Sequence, residues 1–208
     1  MAESPRPAWN AAREGDLLFM KKGPVWESLQ RLARNLDDER IPYALIGGLA
    51  LIAHGYERFT RDVDIHLRPE GLDQFHRDFV GRGYVPAFSG ARKSFQDTES
   101  GVHIEVLTTG EFPGDGKPKL VSFPDPALAG EPGDGFRVIS LAKLIELKLA
   151  SGMTAPHRRL RDLADVQDLT GILNLPNELA DQLDPSVADE YRRLWRERQD
   201  GPPDPHEQ

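Results

Sequence analysis

The sequence YALIGGLALIAHGYERFTRDVDIHL, residues 43–67, constrains the fold of this chain more than any other segment. Its first four residues are apolar and stop at Gly47 and Gly48, which predicts a short buried strand that ends in a tight turn. The apolar stretch at 49–56 predicts a short helix, and residues 63–67 predict a second strand. The segment therefore predicts a strand, a glycine turn, a helix and a second strand in succession.

This segment carries groups that suit phosphate and metal chemistry. Gly47 and Gly48 leave unhindered backbone amides at the positive end of a helix, which suits a phosphate. Asp62 and Asp64 lie two residues apart on the second strand, so both carboxylates project from one face, roughly 6 to 7 Å apart at Cα. Hard oxygen ligands of this kind bind Mg²⁺ or Mn²⁺, which can bridge the oxygens of a triphosphate. The pair therefore predicts a metal site.

A third carboxylate lies on a later predicted strand, VHIEVL, residues 102–107. Val102, Ile104 and Val106 share one face of this strand, and His103 and Glu105 share the other face. Glu105 can therefore face the same cleft as Asp62 and Asp64 and serve as a third metal ligand.

The remaining patterns predict an α/β fold with a mixed sheet, helices around it and a C-terminal helical portion. A segment rich in Gly, Pro and Asp at 108–135 predicts a long loop with at most one short strand. The other expected strands lie at about 83–88, 92–97, 102–107 and 137–139, and the other helices at about 25–39, 70–81, 140–151 (with Ser140 as N-cap), 157–173, 176–182 and 185–198.

The expected organisation is one core with a helical extension. We place the core at 16–139 and the C-terminal helical portion at 140–199. The segments 1–15 and 200–208 lack periodicity and are predicted to be disordered tails.

Composition excludes several classes of protein. Apolar residues make up 38% of the 208 residues, and no apolar run approaches the roughly 20 residues of a membrane span. The chain has no cysteine, which excludes disulfides and thiolate metal sites. Its net charge of -8 argues against a surface that binds nucleic acid nonspecifically through basic residues. The first residues, MAESPRPAWN, show no signal pattern, so a cytoplasmic location is expected.

The order of these motifs resembles the nucleotidyltransferase superfamily related to DNA polymerase beta. The resemblance implies a nucleotidyltransferase-type mixed sheet and an enzyme that transfers a nucleoside monophosphate from an NTP to an acceptor. It implies that Gly47 and Gly48 bind the nucleotide phosphates. It further implies that Asp62 and Asp64 hold the metal ions and that Glu105, where many members have Asp, completes the set.

The C-terminal part narrows this resemblance. One helix face at i, i+3, i+4, i+7 spacing carries Leu141, Leu144, Ile145 and Lys148. An ammonium at Lys148 on an apolar face needs an anion. The following segment RRLRDLADVQDL, residues 158–169, resembles the Arg-x-Lys-Asp-x-x-Asp pattern of AbiEii and MenT-like toxin nucleotidyltransferases, with Arg161 where Lys is usual. The resemblance implies that Lys148 contacts NTP phosphates and that Asp162 and Asp165 organise the helical wall of the nucleotide site.

Lys148 and the charged residues of the following helix also have interpretations that involve no function. The ammonium of Lys148 could extend to solvent from a helix end. Two i, i+4 pairs on the following helix could be exposed salt bridges of small energetic effect. These pairs are Arg158 with Asp162 and Arg161 with Asp165.

The sequence does not decide the role of Arg61, and the nearby histidines are considered separately. Arg61 either contacts the triphosphate or balances the nearby carboxylates. The histidines are left out of the predicted site because Mg²⁺ prefers oxygen ligands. Those near the motifs are His54, His66 and His103.

The sequence leaves the acceptor open among a tRNA 3′ end, a protein hydroxyl and a small molecule. The toxin resemblance implies a toxin of a toxin-antitoxin or phage-defence system, with a cognate antitoxin as partner. The alternative is a catalytically silent nucleotidyltransferase-like module that acts as a binding or antitoxin component. The intact set of three carboxylates favours catalysis.

Overall fold

A computed structural model describes residues 22–56 and 58–200 of the chain. The tails predicted at 1–15 and 200–208 lie outside these residues, except that residue 200 belongs to the last helix and not to a tail. The described elements in chain order are α1 (Pro24–Asp38), β1 (Tyr43–Ile46), α2 (Gly47–Ala53), β2 (Asp62–Leu67), α3 (Pro69–Asp78), β3 (Tyr84–Pro86), β4 (Ser94–Asp97), β5 (His103–Thr108), α4 (Pro126–Ala129), β6 (Gly130–Pro132), β7 (Arg137–Ile139), α5 (Leu141–Thr154), α6 (Arg159–Ile172), a 3₁₀ helix (Asn177–Gln182) and α7 (Pro185–Asp200).

The strands form one mixed sheet in the order β3-β4-β5-β2-β1-β7-β6. Two neighbouring pairs are parallel, β2 with β5 and β1 with β7, and the other four pairs are antiparallel. The predicted fold class, a mixed sheet with flanking helices and a C-terminal helical portion, is confirmed.

One face of the sheet around β2, β5 and β4 is apolar and covered by a helix. Val63, Ile104 and Phe95 are partners across these three strands and are fully buried. Phe75 of α3 covers them, with its ring centroid 4.9 Å from that of Phe95. Because side chains alternate along a strand, the polar residues that flank Val63, Ile104 and Phe95 in sequence are left on the opposite face.

The described residues divide into two compact units. The first comprises residues 22–109 and 124–139, and the second comprises 110–123 and 140–200. The segment 110–123 lacks regular structure. Lys119 donates to the carbonyl of Pro113 at 2.6 Å within the segment, and it holds the segment to the end of α5 by donating to the hydroxyl of Thr154 at 3.0 Å. This segment, which we expected within the core, therefore clusters with the helices. No helix in the described part of the chain is long and apolar enough to cross a membrane.

Several boundaries differ from the predicted ones. Helix α2 begins at Gly47, two residues earlier than expected, and ends at Ala53 before Gly55, whose φ is 96°. The expected helix at 176–182 is a 3₁₀ helix. Ser140 occupies the N-cap position of α5, but its side chain makes no capping hydrogen bond.

A part-buried ion pair fixes α1 to β4, the strand next to the edge of the sheet. The guanidinium of Arg31 donates to Asp97 at 2.6 Å, and Asp97 is 1% exposed. The carboxylate also accepts from the backbone amide of Glu99 at 3.0 Å and from the hydroxyl of Ser100 at 2.9 Å. Burial by itself would raise the pKa of Asp97, but Arg31 and the hydrogen bonds outweigh it, so the pKa is lowered.

Asp97→Asn is expected to lower the free energy of unfolding at pH 7 by about 1.5 to 3 kcal/mol, because it removes a charge-assisted hydrogen bond. The pKa of Asp97 is lower in the folded state than its unfolded value of about 3.9. The stabilisation is therefore complete above that value and is lost as the pH falls through the folded pKa. Urea denaturation of the wild-type protein and of Asp97→Asn, at pH values from 7 down to about 2.5, tests this. A difference that stays constant down to the lowest pH would contradict it, and the exposed Asp38→Asn is the control.

Candidate functional site

The register of β2 against β5 determines where the predicted acids lie. The two strands are parallel, with Asp62 opposite His103 and Asp64 opposite Glu105. Directly opposed residues of neighbouring strands project from the same face. The face opposite Phe75 therefore carries all three predicted carboxylates, with Asp62 exposed and the other two half-buried.

The glycine turn lies directly against this acidic row. Gly47 has a φ of +64°, and a Cβ built on it would lie 1.9 Å from Oδ2 of Asp64. A Cβ on Gly48 would lie 2.8 Å from the side chain of Thr60. Glycine alone fits at these two positions without displacing a neighbour. At Gly47 the backbone therefore approaches the carboxylate of Asp64 closely. A phosphate held by these amides would lie near Asp64, where a cation between the two anions is required.

His103 belongs to this face, although the sequence analysis left the histidines out of the predicted site. Its Nδ1 lies 3.9 Å from Oδ1 of Asp62, and its Nε2 lies 3.8 Å from Oε2 of Glu105. The same Nε2 lies 2.7 Å from the hydroxyl oxygen of Ser94. The signal was present, because alternation along β5 already placed His103 on the face of Glu105.

The three carboxylates share a face but do not converge. Within 22–56 and 58–200, no group of three or more His, Asp and Glu side chains is arranged so that it could hold a metal ion. Asp64 lies against Gly47, and Glu105 faces His103. The metal-ligand roles of Asp62, Asp64 and Glu105 stay predictions.

Arg61 is exposed beside the first acid. Its guanidinium carbon lies 5.1 Å from the ring centroid of Phe59, which is a cation–π contact. Contact with a triphosphate stays a prediction for Arg61.

Lys148 lies in the second unit and is buried, with 8% of its surface exposed. Its ammonium donates to Asp165 Oδ2 at 2.6 Å and to Asp162 Oδ1 at 3.2 Å. The interpretation in which Lys148 extends to solvent is therefore wrong. The anions that the ammonium needs are supplied by the two aspartates of α6, and the phosphate contact of Lys148 stays a prediction.

The aspartate partners of Lys148 are also buried, so α6 is not an exposed helix held by surface salt bridges. Asp162 accepts from the hydroxyl of Ser151 at 2.6 Å and from Arg158 at 3.0 Å, and it is 1% exposed. Burial by itself would raise the pKa of Asp162, but the charge of Lys148 and these hydrogen bonds lower it. Asp162 is therefore ionised at neutral pH. The nucleotide-binding roles predicted for Asp162 and Asp165 are not tested by these contacts.

Comparison with known proteins gives a likeness in structure alone. No protein-family model matches the chain, and no curated protein matches it significantly. One similar solved structure is a provisionally described nucleotidyltransferase from Thermotoga maritima, with 18% identity, a TM-score of 0.43, and 71% of this chain and 91% of that chain covered. Another, from Helicobacter pylori and described in the same terms, has 15% identity, a TM-score of 0.46, and coverages of 92% and 96%. At this level of likeness, neither protein's activity carries over to this chain.

Gly47→Ala is expected to destabilise the protein and displace Asp64. The positive φ alone costs about 1 to 2 kcal/mol for alanine, and the overlap with the carboxylate adds to this. Gly90→Ala is the matched control, since Gly90 has a φ of +83° and nothing within 4 Å of an added Cβ. Chemical denaturation should show a larger loss for Gly47→Ala than for Gly90→Ala. Equal losses would contradict the close approach of Asp64 to the turn.

Lys148→Met is expected to reduce the free energy of unfolding by about 3 to 5 kcal/mol, because it leaves two buried carboxylates without their shared cation. Lys117→Met, at an exposed position of the same unit, should change stability by less than about 0.5 kcal/mol. Urea denaturation at pH 7 compares the two variants. A loss below about 1 kcal/mol for Lys148→Met would show that the buried network contributes little.

Proposed function

We propose that this chain is a nucleotidyltransferase that uses Mg²⁺ or Mn²⁺ to transfer a nucleoside monophosphate from an NTP to an acceptor hydroxyl. The observation that carries the proposal is the contact of the Gly47 turn with Asp64, on the face that also bears Asp62 and Glu105. Amide donors for phosphate and carboxylates for a cation are thereby adjacent. That combination suits a metal-bound triphosphate.

The donor set suits the proposed ion in its chemistry. Asp62, Asp64 and Glu105 offer oxygen ligands, which Mg²⁺ and Mn²⁺ prefer. Asp62 and Asp64 would hold the ion, and Glu105, opposite Asp64, would complete the set after a change in side-chain conformation. When bound, the ion supplies positive charge to the triphosphate oxygens and activates the attacking hydroxyl.

The chain's own residues bind and orient the reactants. Backbone amides at Gly47 and Gly48 bind the phosphates, and the exposed Arg61 contributes a further positive charge. The acceptor hydroxyl attacks the α-phosphorus in line, so that a new P–O bond forms as the bond to pyrophosphate breaks. Glu105 accepts the proton of the attacking hydroxyl.

The acceptor and the biological role rest on the resemblance to AbiEii and MenT-like toxins. We assign a tRNA 3′ end or a protein hydroxyl as the acceptor. The role is then that of a cytoplasmic toxin in a toxin-antitoxin or phage-defence system, with a cognate antitoxin as partner.

A second candidate is a catalytically silent nucleotidyltransferase-like module that acts as a binding or antitoxin component. The observation in its favour is that the three carboxylates are not gathered into a metal-binding group among the described residues. The two candidates differ in one observable, since only the enzyme transfers a nucleoside monophosphate from NTP to an acceptor.

Asp62→Asn and Asp64→Asn are each expected to reduce the rate of nucleoside monophosphate transfer at least about 100-fold. The reason is that these carboxylates would hold the metal ion that neutralises negative charge in the transition state. The assay follows label from each α-labelled NTP into RNA or protein of a lysate. Both variants should have a melting temperature at or above that of the wild-type protein, and exposed Asp73→Asn should keep full activity. Transfer by Asp64→Asn at the wild-type rate would refute the assignment. No transfer by the wild-type protein, with NTP binding retained, would support the silent module.

A further inference from the structure

A serine hydroxyl lies at the end of the acidic row that is farthest from the glycine turn. Neighbouring strands align Ile46, Asp64, Glu105 and Ser94 in register, in that order, and Ile46 directly precedes Gly47. Directly opposed residues of neighbouring strands project from the same face, so the hydroxyl of Ser94 belongs to the face of the carboxylates. Adjacent strands lie about 4.8 Å apart, which places the Cα of Ser94 about 10 Å from that of Asp64.

Ser94 contacts a side chain that can accept its proton. Its hydroxyl oxygen lies 2.7 Å from Nε2 of His103, which is a hydrogen-bond distance. A neutral imidazole accepts a hydrogen bond at one ring nitrogen and donates from the other. A serine hydroxyl that donates to an imidazole is the arrangement in which histidine activates serine as a nucleophile. The proposed function does not otherwise use Ser94 or His103.

The pair of Ser94 and His103 is open to solvent beside the proposed base. Oε2 of Glu105 lies 3.8 Å from the same ring nitrogen that contacts Ser94. The side chains of His103 and Glu105 are each 41% exposed, and Ser94 is half-buried. A phosphate from solvent can therefore approach the serine hydroxyl without any opening of the core.

The order of groups along the row suits an in-line displacement. In the proposed function, the Gly47 turn binds the triphosphate, and Asp62 and Asp64 hold the ion. In-line attack requires the nucleophile and the leaving pyrophosphate on opposite sides of the α-phosphorus. With the pyrophosphate end at the turn and the ion at β2, the open side of the α-phosphorus faces β5 and β4, where Ser94 lies.

We infer that Ser94 is itself an acceptor, so that the protein transfers a nucleoside monophosphate to its own side chain. Oγ of Ser94 forms a bond to the α-phosphorus of the NTP as the bond to pyrophosphate breaks, and the hydroxyl proton passes to Nε2 of His103. The products are a phosphodiester at Ser94 and free pyrophosphate. The inference rests on the proposed function, because the NTP and its metal ion are those of that site.

The test is incubation of the purified full chain with Mg²⁺ and each α-labelled NTP in turn, with no other acceptor present. Label should enter the protein, the intact mass should rise by one nucleotidyl group, and peptide mass spectrometry should place that group on Ser94. Ser94→Ala should not become labelled, and Ser94→Thr, which keeps a hydroxyl, should retain part of the labelling. Wild-type labelling of Ser94→Ala, or a group found on another residue, would overturn the inference.

Matched variants test the partner of the serine. His103→Gln keeps a group that can hydrogen-bond Ser94 but removes the base, so self-labelling should slow at least about 100-fold. Thr98→Ala removes an exposed hydroxyl in the turn after β4, which donates to the carbonyl of Gly83 at 3.0 Å, and it should label like the wild-type protein. An unchanged rate in His103→Gln would overturn the proton transfer to His103.

A second measurement needs neither nucleotide nor metal. Nitrogen-15 NMR of the His103 ring, at a pH where the imidazole is neutral, determines which ring nitrogen carries the hydrogen. The inference predicts that Nδ1 carries it and that Nε2 accepts the hydrogen bond from Ser94. A hydrogen on Nε2 would make His103 the donor to Ser94 and would overturn the inference. This measurement uses the wild-type protein, so it carries the test even if the variants do not fold.

Failure of this inference and failure of the proposed function give different results. Transfer to RNA or protein of a lysate, with no label on Ser94, would overturn the inference alone. No transfer to any acceptor, the protein itself included, would overturn the proposed function and the inference with it. Asp64→Asn should lose both self-labelling and transfer to the lysate, since both use the same bound NTP.

Discussion

The parallel pairing of β2 with β5 is the constraint on which the rest of the first unit depends. Val63 and Ile65 of β2 and Ile104 and Val106 of β5 are buried, so the hydrophobic effect fixes which face of each strand points inward. A slip of one residue in either strand would reverse its faces. Packing of the apolar face therefore places the polar residues of both strands in one row, although none of them drives folding.

The row of carboxylates places like charges next to each other within an otherwise well-packed sheet. Like charges on neighbouring strands destabilise the folded state, and the apolar packing that sets their position does not remove this repulsion. The close approach of Gly47 adds a second constraint, because a side chain there would overlap Asp64. Conflicts of this kind between local rules and a well-packed fold are expected at functional sites.

In the second unit, by contrast, the buried charges are paired with charges of opposite sign. Lys148, Asp162 and Asp165 are buried, and each has an ionic partner within the unit. The cost of desolvating these charges is offset by short contacts and by the hydrogen bond from Ser151. Compensated charge in a helical bundle suits a structural role, whereas partly exposed carboxylates suit an exchangeable cation.

Local patterns predicted much of this fold. The strands Tyr43–Ile46 and Arg137–Ile139 have the expected bounds because a short apolar run between turn residues is a local signal. The predicted face of Glu105 follows from alternation, and the register confirms it. These features depend on neighbouring residues alone.

Long-range features were not available from the sequence. The order of strands in the sheet and the clustering of 110–123 with the helices depend on contacts between distant segments. The partners of Lys148 lie 14 and 17 residues away, on another helix. His103 was left out of the predicted site on the chemistry of Mg²⁺ ligands, although alternation along β5 already placed it on the face of Glu105.

The central claim is that a metal-bound nucleotide occupies the face formed by β2, β5 and the glycine turn. Paramagnetic broadening of the backbone amide resonances by Mn²⁺, with a non-hydrolysable NTP present, locates the ion directly. The claim predicts that broadening is strongest at Gly47, Gly48 and the amides of residues 62–64 and 103–105. Broadening centred on another acidic surface, or none at a saturating nucleotide concentration, would contradict it.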